Sequence, residues 1–166
     1  EGPRAIRYRL CRGEEKNEQE AVTWWRKAAE QGHAGAQGAL GCAYANGEGV
    51  EKSAAEAVTW YHKAAWGGQA DAQYNLGAAY FNGQGAEKSV KEAMRWWHKA
   101  AAQGYAPAQT HLGTTYYNGL GVKEDKTEAV KWWRKAAASG SRGAIKMLRK
   151  LREYKDGGPQ RRQKSS

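Results

Sequence analysis

The sequence of 166 residues is poor in cysteine, proline and phenylalanine, with two, three and one of them respectively. Two cysteines, Cys11 and Cys42, cannot form the disulfide framework on which small secreted domains depend. No run approaches the roughly 18 consecutive apolar residues of a membrane-spanning helix, so we expect no transmembrane segment. A signal peptide is not recognisable at the start, but the first residue is Glu1 and not a methionine, so the cellular compartment stays open.

Positive charge is unevenly distributed along the chain. The formal net charge is +10, yet residues 17–141 carry +1 and residues 142–166 carry +7. A protein that follows nucleic acid along its length spreads lysine and arginine over one face. The body of this chain does not do so, which leaves nucleic acid as a partner for the C-terminal segment alone.

What the sequence has in abundance is repetition. Residues of one type recur at steps of 36, and residues 69–104 align with 105–140 without a gap at 18 identical positions. Such self-similarity is typical of stacked structural units. The recurring residues are Ala21, Ala57, Ala93 and Ala129; Trp24, Trp60, Trp96 and Trp132; Lys27, Lys63, Lys99 and Lys135; Gly32, Gly68, Gly104 and Gly140; Leu40, Leu76, Leu112 and Leu148; and Tyr44, Tyr80 and Tyr116.

The second half of each unit has the pattern of an amphipathic helix. Ala93, Trp96, Trp97, Ala100 and Ala101 follow the spacing i, i+3, i+4, i+7, i+8 of one helical stripe. Each such helix is expected to end at a glycine of the Gly32 row. A glutamate stands three residues after each of Asn17, Ser53, Ser89 and Asp125, which predicts that the helices begin there with a capping box. In this box the cap side chain accepts from the glutamate N–H, and the glutamate side chain reaches back to the cap N–H.

The first half of each unit predicts another helix, over residues 34–46, 70–82 and 106–118. A glycine follows the leucine of each of these helices, and a mid-helix glycine costs up to about 1 kcal/mol relative to alanine. We therefore expect a neighbouring helix to pack where a side chain would clash. These glycines are Gly41, Gly77 and Gly113, and Gly-x-Gly turns after residues 46, 82 and 118 reverse the chain into an antiparallel pair.

One helix pair cannot bury a helix with tryptophans on two sides, such as Trp24 and Trp25, whereas stacked pairs can. The sequence therefore predicts an all-α fold, a right-handed α-solenoid of about four antiparallel helix pairs. We expect one domain over 1–155 and a disordered basic tail over 156–166, which offers no apolar side chain to bury. The expected parts of the domain are a partial first repeat 1–32, full repeats 33–68, 69–104 and 105–140, and a capping helix 141–155.

The last helix has two interpretations. Ile145, Leu148, Leu151 and Tyr154 share one side, with lysine and arginine elsewhere. A terminal repeat needs a polar outer face, which favours a charged capping helix. The other interpretation is a basic amphipathic helix that docks on an acidic partner or on a membrane surface.

The motif Ala-x-x-x-Leu-Gly-x-x-Tyr-x-x-Gly-x-Gly-Val, followed by a cap and Ala-x-x-Trp-Trp/Tyr-x-Lys-Ala-Ala-x-x-Gly, resembles the Sel1-like repeat, a relative of the tetratricopeptide repeat. The resemblance covers residues 33–140 fully, and residues 13–32 and 141–148 in part. It implies an α-solenoid whose first helices line the concave side and which binds other proteins.

A search for catalytic chemistry finds no assembled site. His62 and His98 occupy the position of Arg26 and Arg134, so we expect them to be interchangeable solvated residues. His33 and His111 stand without cysteines or carboxylates at metal-ligand spacing, and the Gly-x-Gly turns lack the third glycine of a dinucleotide loop. We therefore expect no enzyme activity, metal, cofactor or small-molecule substrate.

The remaining candidate is a binding surface on the first helices, where residues facing away from the leucines differ between repeats. An extended peptide or protein ligand would use the aromatic rings as anchors and the amides for its backbone. Helix capping by the asparagines and packing by the rings are the structural alternatives, and binding of nucleic acid or an anionic surface through residues 142–166 is the alternative function. We expect a monomer whose candidate ligand-binding residues are Tyr74, Asn75, Phe81, Asn82, Thr110, His111, Thr114, Tyr117 and Asn118.

Overall fold

The computed structural model describes residues 18–155, with side chains as far as Arg152. The expected cap Asn17, Cys11, the rest of residues 1–17, the side chain of Tyr154 and the expected tail 156–166 lie outside the described residues. Within this range there are eight helices and no strand: α1 Glu18–Glu30, α2 Ala34–Asn46, α3 Ala54–Trp66, α4 Ala70–Asn82, α5 Val90–Ala102, α6 Ala106–Asn118, α7 Lys126–Ala138 and α8 Arg142–Lys155.

Consecutive helices pack against each other in antiparallel pairs. Along α2 and α3, Gly41 faces Tyr61 and Gly38 faces Ala64, so the position on α3 advances as the position on α2 recedes. Every helix contacts the next one in the chain, and α2 also contacts α4. The architecture is the expected all-α solenoid, in which each pair packs on its neighbours.

The predicted N-caps are confirmed for α3, α5 and α7, but the reciprocal half of the capping box is wrong. Each cap side chain accepts a hydrogen bond from the glutamate N–H three residues later, as at Ser53 and Glu56 with 3.2 Å. The cap N–H does not bond that glutamate. Instead it donates to the tyrosine carbonyl of the preceding helix, 2.9 Å away in the Ser53–Tyr44 pair, the Ser89–Tyr80 pair and the Asp125–Tyr116 pair. The cap thus joins the two helices of a pair.

The glycines beside the leucines are confirmed as points of close approach. A Cβ on Gly77 would lie 2.5 Å from the Trp97 ring, and one on Gly113 would overlap the Trp133 ring. Both indoles are fully buried, and each donates its Nε1–H to a carbonyl of the facing helix: Trp97 to Tyr74 at 3.1 Å and Trp133 to Thr110 at 3.3 Å. The bare glycine backbone therefore admits an indole between the two helices.

A buried glutamine joins each helix pair to the pair before it. The Nε2 of Gln37, Gln73 and Gln109 donates to a carbonyl near the end of the preceding second helix, at 3.1 Å in all three cases. The acceptors are the carbonyls of Ala29, Ala65 and Ala101. At the next step of 36 the residue is Ile145, whose side chain is 41% exposed.

The tryptophans that recur at steps of 36 are not all buried by the stacking of helix pairs, which corrects the sequence-based expectation. They are Trp24, Trp60, Trp96 and Trp132. Trp96 is 2% exposed, whereas Trp24 is 62% exposed. The lysine three residues later places its ammonium group over each of these rings. The Nζ-to-centroid distances are 5.2, 4.4, 4.6 and 4.7 Å for Lys27, Lys63, Lys99 and Lys135, within the range of cation–π contacts.

His62 and His98 are not solvated, so that prediction is wrong. Each is half-buried and hydrogen-bonded through Nε2 to the hydroxyl of a tyrosine in the next helix pair: His62 to Tyr80 at 2.8 Å, and His98 to Tyr116 at 3.1 Å. Each imidazole also packs edge-on against the tryptophan of that pair. Arg26 makes the equivalent bond to Tyr44 at 2.8 Å, so a basic residue and a phenol link successive pairs.

Replacing Gly113 by alanine is expected to destabilise the protein, although alanine ordinarily favours a helix. The new Cβ would overlap the buried Trp133 ring, and such overpacking typically costs about 1–3 kcal/mol. Gly38→Ala is the matched control, because a Cβ there would lie 3.8 Å from Ala64 Cβ, an ordinary contact. In urea titrations followed by circular dichroism, we expect a lower midpoint for G113A and a higher one for G38A. An unchanged or raised midpoint for G113A would contradict this packing.

The fold is expected to lose stability in mild acid because of the two histidines. Burial lowers the pKa of His62 and His98 below the ordinary value of 6.5, although Glu92 and Glu128 act in the opposite direction. The unfolded chain therefore takes up protons first, and stability falls as the pH drops below 6.5 towards the folded pKa.

The double variant H62R/H98R should show a smaller loss of stability in acid, since Arg26 already makes the same bond without titrating. The measurement is the difference in urea midpoint between about pH 7.5 and about pH 5.5 for both proteins. Both proteins contain His33, His111 and the same carboxylates, so the contributions of these groups to the pH dependence of stability cancel in the comparison. Equal acid sensitivity of the two proteins would rule out this role for the imidazoles.

Candidate functional site

The nine predicted binding residues lie on α4 and α6, and we call them the first-helix surface. None of them carries a carboxylate, lysine or arginine, so the surface is neutral apart from His111. Asn82, His111 and Asn118 are exposed, and the other six are half-buried. Side chains of successive first helices meet here, because Tyr74 OH hydrogen-bonds His111 Nδ1 at 3.2 Å and Asn75 Nδ2 donates to Cys42 Sγ at 3.9 Å.

Five rings at the junction of α4 and α6 form a continuous group, which we call the aromatic cluster: Tyr74, Phe81, Trp97, Tyr105 and His111. Phe81 packs on Trp97 with centroids 5.3 Å apart, and Trp97 packs on His111 at 5.0 Å. His111 and Tyr105 then contact Tyr74 at 5.4 and 5.6 Å. The cluster rests on a buried indole and reaches solvent at His111.

The surroundings of the aromatic cluster favour uncharged side chains. Burial against the neighbouring rings lowers the pKa of His111, an effect that a hydrogen bond with the Pro107 backbone partly offsets. Burial also raises the pKa of the Tyr74 hydroxyl. Both groups are therefore neutral near pH 7, and the cluster presents hydrogen-bonding groups without charge.

The predicted residues nearer the last repeat are held more tightly. Tyr117 packs on Trp133 with centroids 5.2 Å apart, and Lys126 places its ammonium group 5.6 Å from the Tyr117 ring. The hydroxyl of Thr110 donates to the Ala106 carbonyl and also bonds the Ser141 hydroxyl. Thr114 donates to the carbonyl of Thr110. These hydroxyls are hydrogen-bonded within the protein, which leaves the rings and amides as the available groups.

The asparagines at the ends of the first helices differ in their contacts. Asn46 donates to Glu48 at 3.2 Å and Asn118 to the Thr114 carbonyl at 3.1 Å, whereas Asn82 makes no side-chain hydrogen bond with any residue in the described part. The C-cap of each helix is the glycine that follows, whose backbone is left-handed, with φ of 67° at Gly83. The asparagine amides are thus not needed to cap the helices.

An open cleft of about 410 Å³ lies beside Asn75 on this surface, between α2, α3 and α4. Its lining includes Ala45, Tyr61, Asn75 and Ala78. Ala45 stands at the position that Phe81 and Tyr117 occupy in the next two repeats, where those rings pack on Trp97 and Trp133. The small side chain of Ala45 leaves the equivalent space over Tyr61 empty.

The predicted binding residues omit Tyr61, Trp97 and Tyr105, and they also leave out Ala45, although its row varies between repeats. Trp97 and Tyr105 complete the aromatic cluster, but Trp97 was assigned to the core, where it indeed lies, and Tyr105 precedes its helix. Ala45 and Tyr61 form the cleft. The signal that could have found it is the exchange of alanine for a ring within one repeat position.

The described residues contain no helix long and apolar enough to cross a membrane. They also contain no group of three or more histidine, cysteine or acidic residues able to hold a metal ion. The groups that this surface presents are aromatic rings, uncharged hydrogen-bonding groups and one open cleft.

Comparison with known proteins supports the repeat assignment. A family model described as Sel1 repeat matches residues 5–33, 34–67, 70–105 and 106–141. Two solved structures are similar in both sequence and fold. One is c5321, a protective antigen present in uropathogenic Escherichia coli strains displaying an SLR fold, with 38% identity and a TM-score of 0.82. The other is a Sel1 repeat protein from Oxalobacter formigenes, with 37% identity and a TM-score of 0.81.

These alignments cover most of this chain but only part of the relatives. They span 92% of this chain and 34% of the Escherichia coli protein, and 95% of this chain and 65% of the Oxalobacter formigenes protein. Cysteine rich protein B of Helicobacter pylori shares the fold, with a TM-score of 0.63, 24% identity, and coverage of 81% of this chain and 97% of that one. The comparison with curated proteins returned no match. Four matched repeats and the two relatives above 30% identity show that the chain belongs to the Sel1 repeat family.

Proposed function

We propose that this chain is a non-catalytic adaptor that binds an extended peptide segment of another protein across its first-helix surface. Sel1 repeat proteins are generally scaffolds for protein–protein interaction, and the family is generally non-catalytic. The proposed ligand is an uncharged segment. It places one apolar side chain in the cleft, and its polar backbone groups bond the asparagine amides.

The observation that carries the proposal is the cleft beside Asn75. Its floor is the Tyr61 ring, and Ala45 leaves the space that a ring fills in the next two repeats. A ligand side chain in that space would bury apolar surface, which contributes about 25 cal/mol for each Å² removed from water. The space should therefore accept a side chain of about the size of Phe81 or Tyr117, which occupy the equivalent sites in the next two repeats.

The neighbouring groups suit a peptide backbone. Asn75 lines the cleft, and the exposed Asn82 amide offers both a donor and an acceptor on the same helix. The aromatic cluster follows on the next junction, with His111 exposed at its edge. A segment laid across the first helices would meet the cleft between α2 and α4 and then the aromatic cluster between α4 and α6, in the manner of peptides that bind with side chains in pockets.

Filling the cleft is expected to weaken peptide binding without unfolding the protein. A random peptide library displayed on phage is panned against the immobilised chain, and selected peptides are measured by fluorescence anisotropy. Ala45→Phe supplies the ring of Phe81 at the equivalent position, and affinity should fall at least roughly tenfold, as expected for loss of an anchor pocket. Ala102→Phe is the matched control, because it adds the same ring at an exposed position where α3 carries Trp66.

Further variants separate the groups of the surface. N82A should also weaken the binding of the selected peptides. The double variant N82A/Y117A tests the first-helix surface as a whole. If A45F and A102F bind the peptides equally well, the cleft is not the site. If affinity instead falls steeply with salt and is lost on deletion of residues 156–166, the ligand binds the basic C-terminal segment, because counterion release produces that salt dependence.

A further inference from the structure

The last described helix, α8, packs on α7 and leaves a second open cleft beside it. The cleft lies between α7 and α8, has a volume of about 680 Å³, and has an apolar floor of Val130, Leu148 and Leu151. The corresponding residues one repeat earlier are Met94, Leu112 and Thr115, which are all buried. Val130, Leu148 and Leu151 are only half-buried, because no second helix packs on α8 within the described residues.

The earlier junctions show what kind of helix covers such a cleft. At the junction before it, α7 lies over His98 and Tyr116, and its Trp132 ring packs 5.4 Å from the His98 ring. Glu128, four residues before Trp132, acts electrostatically on both His98 and Tyr116. One junction earlier, Glu92 and Trp96 of α5 relate in the same way to His62 and Tyr80.

At the open cleft an arginine stands where the earlier junctions have a tyrosine, so a second positive charge takes the place of the phenol. Arg134 and Arg152 stand where the earlier junctions have His98 and Tyr116, and both line the cleft. Lys126 and Lys131 also line the cleft, and its lining contains no acidic residue, so the cleft is positively charged. Guanidinium groups bind carboxylates in a bidentate fashion, which makes an acidic helix the complementary occupant.

The residues that follow α8 lack the sequence pattern of such a helix. One repeat after Asp125 and Glu128 stand Arg161 and Lys164, so the cap and the acidic residue of the pattern are both replaced by basic ones. Residues 156–166 also contain no large apolar side chain for the floor. Their positive charge would oppose that of Arg134 and Arg152, so a different segment is the better occupant.

We propose that the cleft between α7 and α8 binds an acidic amphipathic helix of a partner protein, with a carboxylate at Arg134 and Arg152 and an aromatic residue one helical turn later on the apolar floor. This site is separate from the first-helix surface and does not depend on the peptide ligand proposed there. The expected length is about that of the chain's own second helices, each of which has 13 residues.

The test uses a peptide built from the chain's own α5. Residues Ser89–Gly104 with K91E, R95E and K99E form an acidic helix that retains Glu92 and Trp96. Its binding to the full chain is measured by fluorescence anisotropy. We expect saturable binding that weakens at least roughly tenfold for the R134E/R152E variant, since charge reversal turns an attractive pair into a repulsive one. A peptide that also carries W96A should lose affinity to a similar extent.

The matched control is the R142E/K146E variant. It changes the net charge by the same amount at two exposed α8 residues outside the cleft, and it should bind the acidic peptide nearly as well as the unchanged chain. Circular dichroism checks that both variants are folded. Equal losses in the two variants, or unchanged binding of the W96A peptide, would overturn the proposal.

Other occupants give distinct results. Self-association of the chain that disappears in R134E/R152E would assign the cleft to a second copy. Binding of anionic vesicles or of DNA that R134E/R152E weakens more than R142E/K146E does, without binding of the acidic peptide, would assign it to a membrane or a nucleic acid. Either result would overturn the proposal of a partner helix.

Discussion

The whole arrangement depends on the contact between an aromatic ring and a glycine backbone inside each helix pair. Because Gly77 and Gly113 have no side chain, Trp97 and Trp133 lie directly against the facing helix and bond its carbonyls. This contact fixes the spacing of the two helices, and it also fixes where the first-helix surface lies. Phe81 and Tyr117 rest on those same indoles, so the core residue of each pair is also the support of its binding surface.

Periodicity predicted the features that depend on residues within one pair. The bounds of the first helices, the side-chain caps at Ser53, Ser89 and Asp125, and the close approach at Gly41, Gly77 and Gly113 all follow from local spacing, and the structure confirms them. Local rules decide these features because the interacting residues are neighbours on one helix or in one hairpin. The same reasoning predicted a repeat protein, and the family comparison confirms it.

Contacts between pairs could not be read from one unit. His62 looked solvated because its row also contains arginine, but the partner that buries it is Tyr80 of the next pair. The capping-box pattern predicts that the cap N–H of Ser53 bonds Glu56, but in the folded hairpin it donates to the Tyr44 carbonyl. The cleft at Ala45 is a difference between repeats, so it becomes visible only when the rings of Phe81 and Tyr117 are placed in space.

The glutamine row has a consequence for how the array comes apart. Gln37, Gln73 and Gln109 each tether a first helix to the unit before it, whereas Ile145 stands in that place on α8. The final junction relies on the Ser141 hydroxyl and Thr110 instead. Repeat arrays open one interface at a time, so local unfolding should begin at α8 and stop at the junction held by Gln109. The amide hydrogens of α8 should then exchange with solvent while the inner helix pairs stay folded.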